Sequence, residues 1–474
     1  MKFAIRTLLG LTVAFAAVGC GDDDDGGVDP IDAAMMPVDS GNTTIDSGNP
    51  GTDGGPTGCT SSVDVSAEIT ANTSWTADKC YVLRTHVFVR SPAVLTIAAG
   101  TKIFGGLGTS LVVTQGAKLM AIGTATNPIV FSSSKAPGMR RGGDWGGVVL
   151  LGRAPINPQG GTQFIEGFPA TETRTVYGGT DPADSSGELR YVRIEFAGFE
   201  LAPTKELNGL SCGGVGSGTV IDFVQVHMGS DDGIEMFGGT GNLKHIVISS
   251  PDDDGLDWDF GWTGKVQWLI IQQSPSLGDS GYEADNHPTD FDRTPRSMPT
   301  ISNVTMVSNR STTKNQPGMV IRRGAAARLS NHIVAFFSGL AADVRDTQML
   351  AAGGRAQVIA DTYIKNSIFF NNAPNMDNFP AEAQTGTPPA DNDGNLFDEA
   401  GVFGVNATSM NRVTDPMLTD ARNLTAPNFK PMAGSPALTG AAVPSDSFFD
   451  QTATYVGAIG ATDWTTGWTA YPAN

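Results

Sequence analysis

The chain is 474 residues long, with 59 glycines, 17% charged residues and a formal net charge of −19. Length alone allows two or three domains. So acidic a chain has no basic stripe for a nucleic-acid partner, and neither a nucleic acid nor a nucleotide is expected to bind; the glycine content describes a turn-rich, extracytoplasmic protein.

At the amino terminus Lys2 and Arg6 precede an apolar run over residues 8–18 and then Ala17-Val18-Gly19-Cys20. This reads as a secretory signal peptide over residues 1–19, too short in its apolar part to span a bilayer. The small residues before Cys20 resemble a bacterial lipobox. That implies cleavage before Cys20 and acylation of its thiol, with an uncleaved anchor or plain secretion as alternatives. Gly21 rather than an aspartate follows Cys20 directly, which points to the outer membrane, with the body facing the periplasm or the cell surface. Residues 20–58 form an acidic linker poor in large apolar side chains, expected to act as a flexible tether. Its Asp22-Asp23-Asp24-Asp25 run reads as a solvated spacer rather than a calcium site. Cys59 and Cys80 can pair across a short loop in an oxidising compartment, whereas Cys212 reads as a small buried hydrophobe rather than a nucleophile.

The folded body is expected over residues 59–440. Leu95-Thr96-Ile97 with Gly100-Thr101-Lys102-Ile103 is matched sixteen residues later by Leu111-Val112-Val113 with Gly116-Ala117-Lys118-Leu119, which reads as one solenoid turn. Gly142-Gly143-Asp144-Trp145-Gly146-Gly147 then introduces an apolar strand at 148–151, and polar loops at 157–186 leave the stack.

Residues 189–286 carry the clearest repeat. Asn208-Gly209-Leu210-Ser211-Cys212, Asp232-Gly233-Ile234-Glu235-Met236, Asp254-Gly255-Leu256-Asp257-Trp258 and Ser280-Gly281-Tyr282-Glu283-Ala284 each follow a short alternating apolar run. Strand alternation turns Leu210, Ile234, Leu256 and Tyr282 inward with Cys212, Met236, Trp258 and Ala284. Ser211, Glu235, Asp257 and Glu283 then point outward, followed two positions on by Phe237, Asp259 and Asp285. With successive turns stacked at roughly 4.8 Å, Glu235, Asp257 and Glu283 form a carboxylate ladder.

Beyond Asn286, Asn303, Asn331 and Asn366 each precede an apolar strand, where asparagine suits a left-handed corner and can stack into a hydrogen-bonded ladder. Residues 384–396 read as a loop. Residues 441–474, with Phe448, Phe449, Tyr455, Trp464 and Trp468, are expected to cap an open solenoid end.

The ordered chain resembles the right-handed parallel β-helix proteins, the architecture of pectate lyases: an all-β, single-stranded solenoid behind a disordered tether. Gly143-Asp144-Trp145-Gly146-Gly147 with Leu151-Gly152-Arg153, Ser230-Asp231-Asp232-Gly233-Ile234-Glu235 with Phe237-Gly238-Gly239-Thr240, and Gly460-Ala461-Thr462-Asp463-Trp464 with Gly467-Trp468-Thr469 are similar to signatures of secreted or lipid-anchored β-helix proteins of Gram-negative bacteria. The resemblance implies fold and location, and no reaction.

Stacked carboxylates repel, so such a ladder stays solvated, holds protons or binds a cation. Calcium, a hard ion taking several oxygens in flexible geometry, suits it best. The expected ligands are drawn from Asp231, Asp232, Glu235, Asp252, Asp253, Asp254, Asp257, Asp259, Asp279, Glu283 and Asp285; the alternative is that these are turn formers on a wet face. Asp231 and Asp232 are similar to the paired aspartates of β-helix polygalacturonases. The Gly-His-Gly loop of those enzymes is missing around His86, His227, His245, His287 and His332. Arg322, aligned on Gly318, falls near the Asp285 row as the candidate base of a lyase or as a plain ion pair. Trp262 is the tryptophan available for sugar stacking, core packing being its alternative. The expected role is surface binding or structural, adhesin-like or directed to polysaccharide, on a lipid-anchored outer-membrane protein with calcium. A calcium-dependent lyase or glycoside hydrolase for acidic polysaccharide is the alternative.

Overall fold

The computed structural model describes residues 59–202, 205–345, 361–373, 378–379 and 398–474. The signal peptide, Cys20, the linker to residue 58 and the loop at 384–396 lie outside the described residues.

The body is a parallel β-helix. Its first coils use three short strands each: Cys80–Leu83, Val87–Val89 and Val94–Ile97 in one, then Lys102–Gly105, Leu111–Val113 and Lys118–Ile122 in the next. Each strand pairs in parallel with its counterpart, Cys80 facing Lys102, Val87 facing Leu111 and Val94 facing Lys118. The sixteen-residue repeat is therefore not a full turn, because Leu95 pairs with Leu119 rather than Leu111. Two different corners of the coil, at Gly100 and Gly116, use the same left-handed glycine, with φ of 83° and 78°, and so look alike in sequence.

From Gly187 onward two of the three sides fuse. Gly187–Glu195 pairs with Lys118–Ile122 through its first half and with Ile129–Ser133 through its second. Tyr191, at a φ of 51°, bends it between the two. Phe223, His245, Trp268, Asn303, Asn331 and Asn366 occupy the same left-handed corner on later rungs. The bend consumes one residue, so core side chains fall at Leu189, Val192 and Ile194 rather than at every second position. The four aromatic corner rings stack with centroids 4.4, 4.0 and 4.4 Å apart.

The third side forms a separate parallel sheet that runs Val87–Val89, Leu111–Val113, Val148–Leu151, Leu210–Gly213, Ile234–Phe237, Leu256–Asp259, Tyr282–Ala284, Met319–Ile321 and Asp343–Val344. Leu210, Ile234, Leu256, Tyr282, Cys212, Met236, Trp258 and Ala284 are all buried inside it, as the alternation requires. Burying such an aliphatic side chain contributes about 2 kcal/mol. Burial also pushes the Cys212 thiol well up, so it is inert. Cys59 and Cys80 form a disulfide.

The C-terminal segment differs from the end cap expected. It runs back along the flank of the helix: Asn366 donates to Gly440 O, Asn331 to Ala442 O and Asn303 to Tyr455 O, while Gln225 donates to Ala470 O and His227 bonds Pro472 O. The corner asparagines therefore hold this strap instead of stacking on one another. Trp464 and Trp468 close over Phe223 edge to face, at 6.3 and 6.0 Å. An exposed column of aromatic rings is costly in water, and the strap covers it in part, leaving Trp268 buried and Tyr191, Phe223 and His245 half-buried.

Candidate functional site

The outward row of the separate sheet is in register as predicted. Ser211 pairs with Glu235, Glu235 with Asp257 and Asp257 with Glu283. The next row places Phe237 opposite Asp259. The corner residues Asn208, Asp232, Asp254 and Ser280 form a third column, built by the chain itself. Asp254 N donates to Asp232 Oδ1 at 2.9 Å, and Ser280 N to Asp254 Oδ1 at 2.6 Å. One oxygen of each corner aspartate is thus committed to holding the next rung.

The carboxylates do not lie on a wet face. Loops from 152–186, 199–202 and 205–207 fold back over the sheet, anchored by Asn157 Nδ2 on Asn286 O at 2.8 Å and by burial of Ile156, Ile165, Tyr177 and Leu207 against Phe237 and Phe260. The result is a cleft of about 130 Å³ walled by eleven carboxylate residues and two arginines. Nine of them were anticipated from sequence: Asp231, Asp232, Glu235, Asp253, Asp254, Asp257, Asp259, Glu283 and Asp285. Glu166 and Glu206 come from the covering loops, Glu166 held by Lys205 at 3.0 Å. No local pattern marks those two. Asp279 is exposed and groups with Asp253 and Asp254 at the rim, whereas Asp252 is half-buried outside the cleft. Trp262 is buried, its indole N–H on Gly241 O at 3.0 Å, so it offers no stacking face.

Counting eleven acids against two arginines, the wall carries a formal charge of −9. Burial first, and then the neighbouring carboxylates, push Asp232, Glu235 and Asp257 well above the usual carboxylate range. Asn208 Nδ2 donates to Glu235 Oε2 at 2.6 Å, but Asp257 Oδ1 is buried with no hydrogen-bond donor among the described residues. Oxygens of Asp232, Glu235 and Asp257 lie within 4.8 Å of one another, and a second such group joins Asp231, Asp232 and Asp253. The donor set is all hard oxygen, so it fits calcium rather than a soft metal.

At the far end the guanidinium of Arg322 bridges Glu283 and Asp285, the latter at 3.0 Å, and Arg323 meets the other oxygen of Asp285 at 2.9 Å. Burial lowers the Arg322 pKa, but Asp285 and Glu283 outweigh it and hold the group above its ordinary range. Arg322 is thus where the glycine alignment predicted, and fully engaged.

No characterised protein and no solved structure matches the chain. A family model, the pectate-lyase-like β-helix domain, matches residues 67–400, which hold all of the cleft-bearing sheet, most of the larger one and every wall residue of the cleft. By that match and by its coiled parallel sheets, the chain belongs to the pectate-lyase-like β-helix domain family.

Proposed function

We propose that the acidic cleft is a calcium site on a surface protein that binds an acidic polysaccharide through the bound cation, the body being tethered to the outer membrane by lipid on Cys20. The observation that carries this reading is the in-register row of Glu235, buried, and Asp257 and Glu283, half-buried, with Asp257 Oδ1 itself buried and without a donor among the described residues. Like charges that close, removed from water, are relieved by protons or by a divalent cation, and a divalent cation also satisfies several of the oxygens at once. Asp232, Glu235 and Asp257 would hold one ion and Asp231, Asp232 and Asp253 a second position beside it.

Binding is preferred over lyase chemistry because Arg322, the base such a reaction needs, is held protonated between two carboxylates. A base must be able to give up its proton near working pH. The family match keeps the lyase reading as the second one.

The test is calorimetric titration of the purified protein with calcium and with magnesium, followed by polygalacturonate and alginate in calcium or chelator. Saturable calcium binding, and polymer binding that chelator abolishes, are expected. Absence of calcium binding at millimolar concentration removes the reading. Unsaturated product absorbance, lost in Arg322→Ala, replaces binding with lyase chemistry.

A further inference from the structure

Toward the amino terminus the same outward row continues from Glu235 through Ser211, Val149 and Val112 to Phe88. Four rungs separate Glu235 from Phe88, about 19 Å at the usual strand spacing. A second cleft, of about 490 Å³, opens there around Thr85, His86, Phe88, Phe168, Glu172 and Arg174.

Its construction is unlike that of the acidic cleft. The Phe168 ring meets His86 edge on at 4.8 Å and Phe88 at 6.1 Å. The Arg174 guanidinium lies over Phe88, its carbon 3.8 Å from the ring centre. Arg174 Nε donates to Glu172 Oε1 at 2.6 Å, and its other edge meets Glu68, which Arg90 also binds at 3.2 Å. Two guanidinium groups thus balance two carboxylates. His86 is bonded through Nδ1 to Ser110 Oγ at 2.8 Å, which leaves Nε2 as the nitrogen available to the cleft. Burial, and then Arg174, lower the His86 pKa, so the imidazole is neutral at pH 7. The walls therefore combine aromatic and aliphatic surface with a few fixed polar groups and no net charge.

We propose that this second cleft binds a neutral saccharide unit. Sugar rings present apolar C–H faces that pack on aromatic walls, and hydroxyls that pair with planar groups such as guanidinium, carboxylate and imidazole. An anionic ring finds no uncompensated positive charge here, since Arg174 and Arg90 are both neutralised. The site is independent of the cation reading. It is nevertheless joined to the acidic cleft, because Glu166 walls one cleft while Gly167 and Phe168 wall the other.

The test is saturation-transfer NMR and calorimetry on the purified protein in chelator, with cellohexaose, mannohexaose, xylohexaose and maltohexaose against hexagalacturonate. At least one neutral hexasaccharide is expected to bind. Its affinity should fall at least tenfold in Phe168→Ala and in His86→Ala, and stay unchanged in Asp257→Asn. Phe168 is half-buried, and an unchanged melting temperature identifies the loss as local; His86→Gln, which keeps a hydrogen-bonding group, should retain part of the binding. The proposal is overturned if no neutral hexasaccharide binds at millimolar concentration, if hexagalacturonate binds in their place, or if binding is lost in Asp257→Asn but kept in Phe168→Ala. Because chelator is present throughout, failure here leaves the calcium reading untouched, and failure of calcium binding leaves this one standing.

Discussion

Asp257→Asn should change the sign of its effect with calcium. Asp257 sits between Glu235 and Glu283 on adjacent rungs, and its Oδ1 accepts no hydrogen bond among the described residues, so the amide breaks none there. Each fully ionised neighbour at about 4.8 Å would repel it by about 3.5 kcal/mol at an effective dielectric of ~20. The cluster escapes part of that by holding protons, so the relief in chelator is smaller than the full repulsion. In chelator at pH 8 the variant should therefore melt above the parent. With calcium at a hundred times the parent's Kd, the parent gains about 2.7 kcal/mol that a variant unable to bind does not, and the order reverses once that gain, which grows with calcium concentration, exceeds the relief. Scanning calorimetry of both proteins, with and without calcium, reads the two shifts. A variant less stable than the parent by the same amount in both conditions would show that Asp257 is a structural side chain, and the repulsion argument would fail.

Three further outcomes follow from the same structure. The raised pKa values of Asp232, Glu235 and Asp257 mean that the folded chain holds more protons than the unfolded one above the ordinary carboxylate range. In chelator, stability should then fall as pH rises from about 5 toward 8, and calcium should flatten that slope; a chelator melt that rises with pH refutes it. Trp468→Ala removes a buried ring from the strap, at a cost on the order of 3–5 kcal/mol, and proteolysis should then begin within residues 441–474. Gly187→Ala would put a Cβ 2.1 Å from Leu119 O at a φ of 118° and should abolish soluble expression, whereas alanine at Gly160, which has open space around it, should be tolerated apart from its own left-handed strain.

The rungs of the helix were legible because Gly209, Gly233, Gly255 and Gly281 sit at one corner and the residues after them alternate. Each of these glycines closes against the carbonyl of the next rung, so the chemistry recurs at every turn. The bend inside the long strands was harder to read. Tyr191, Phe223, His245 and Trp268 look like the first residues of strands, but they sit in left-handed corners that large side chains seldom adopt. A signal was present: apolar positions step by three and then two, as in Leu243, Ile246 and Ile248, where an unbroken strand would step by two throughout. The stacked rings and the strap over them stabilise what the isolated backbone disfavours.

The cover over the carboxylates had a different kind of trace. Phe88, Val112 and Val149 share the outward row with the carboxylates and Phe237 points outward in the next, and an outward face that met water throughout would not carry so many large apolar residues. The partners of those residues, Ile156, Ile165 and Leu207, are isolated apolar side chains in otherwise polar loops, and no local periodicity connects them across the chain. That missing step matters chemically. Left in water, Glu235, Asp257 and Glu283 would repel weakly and need no ion; under the loops the same three residues lose their solvent, and Glu166 and Glu206 add to their charge. The loops contribute the burial of Phe237 and Leu207 as they close, and closing over so many carboxylates is sustainable only if protons or a cation come with them. The acids are thus set by the repeat, whereas their demand for a counter-ion is set by loops that the repeat does not contain.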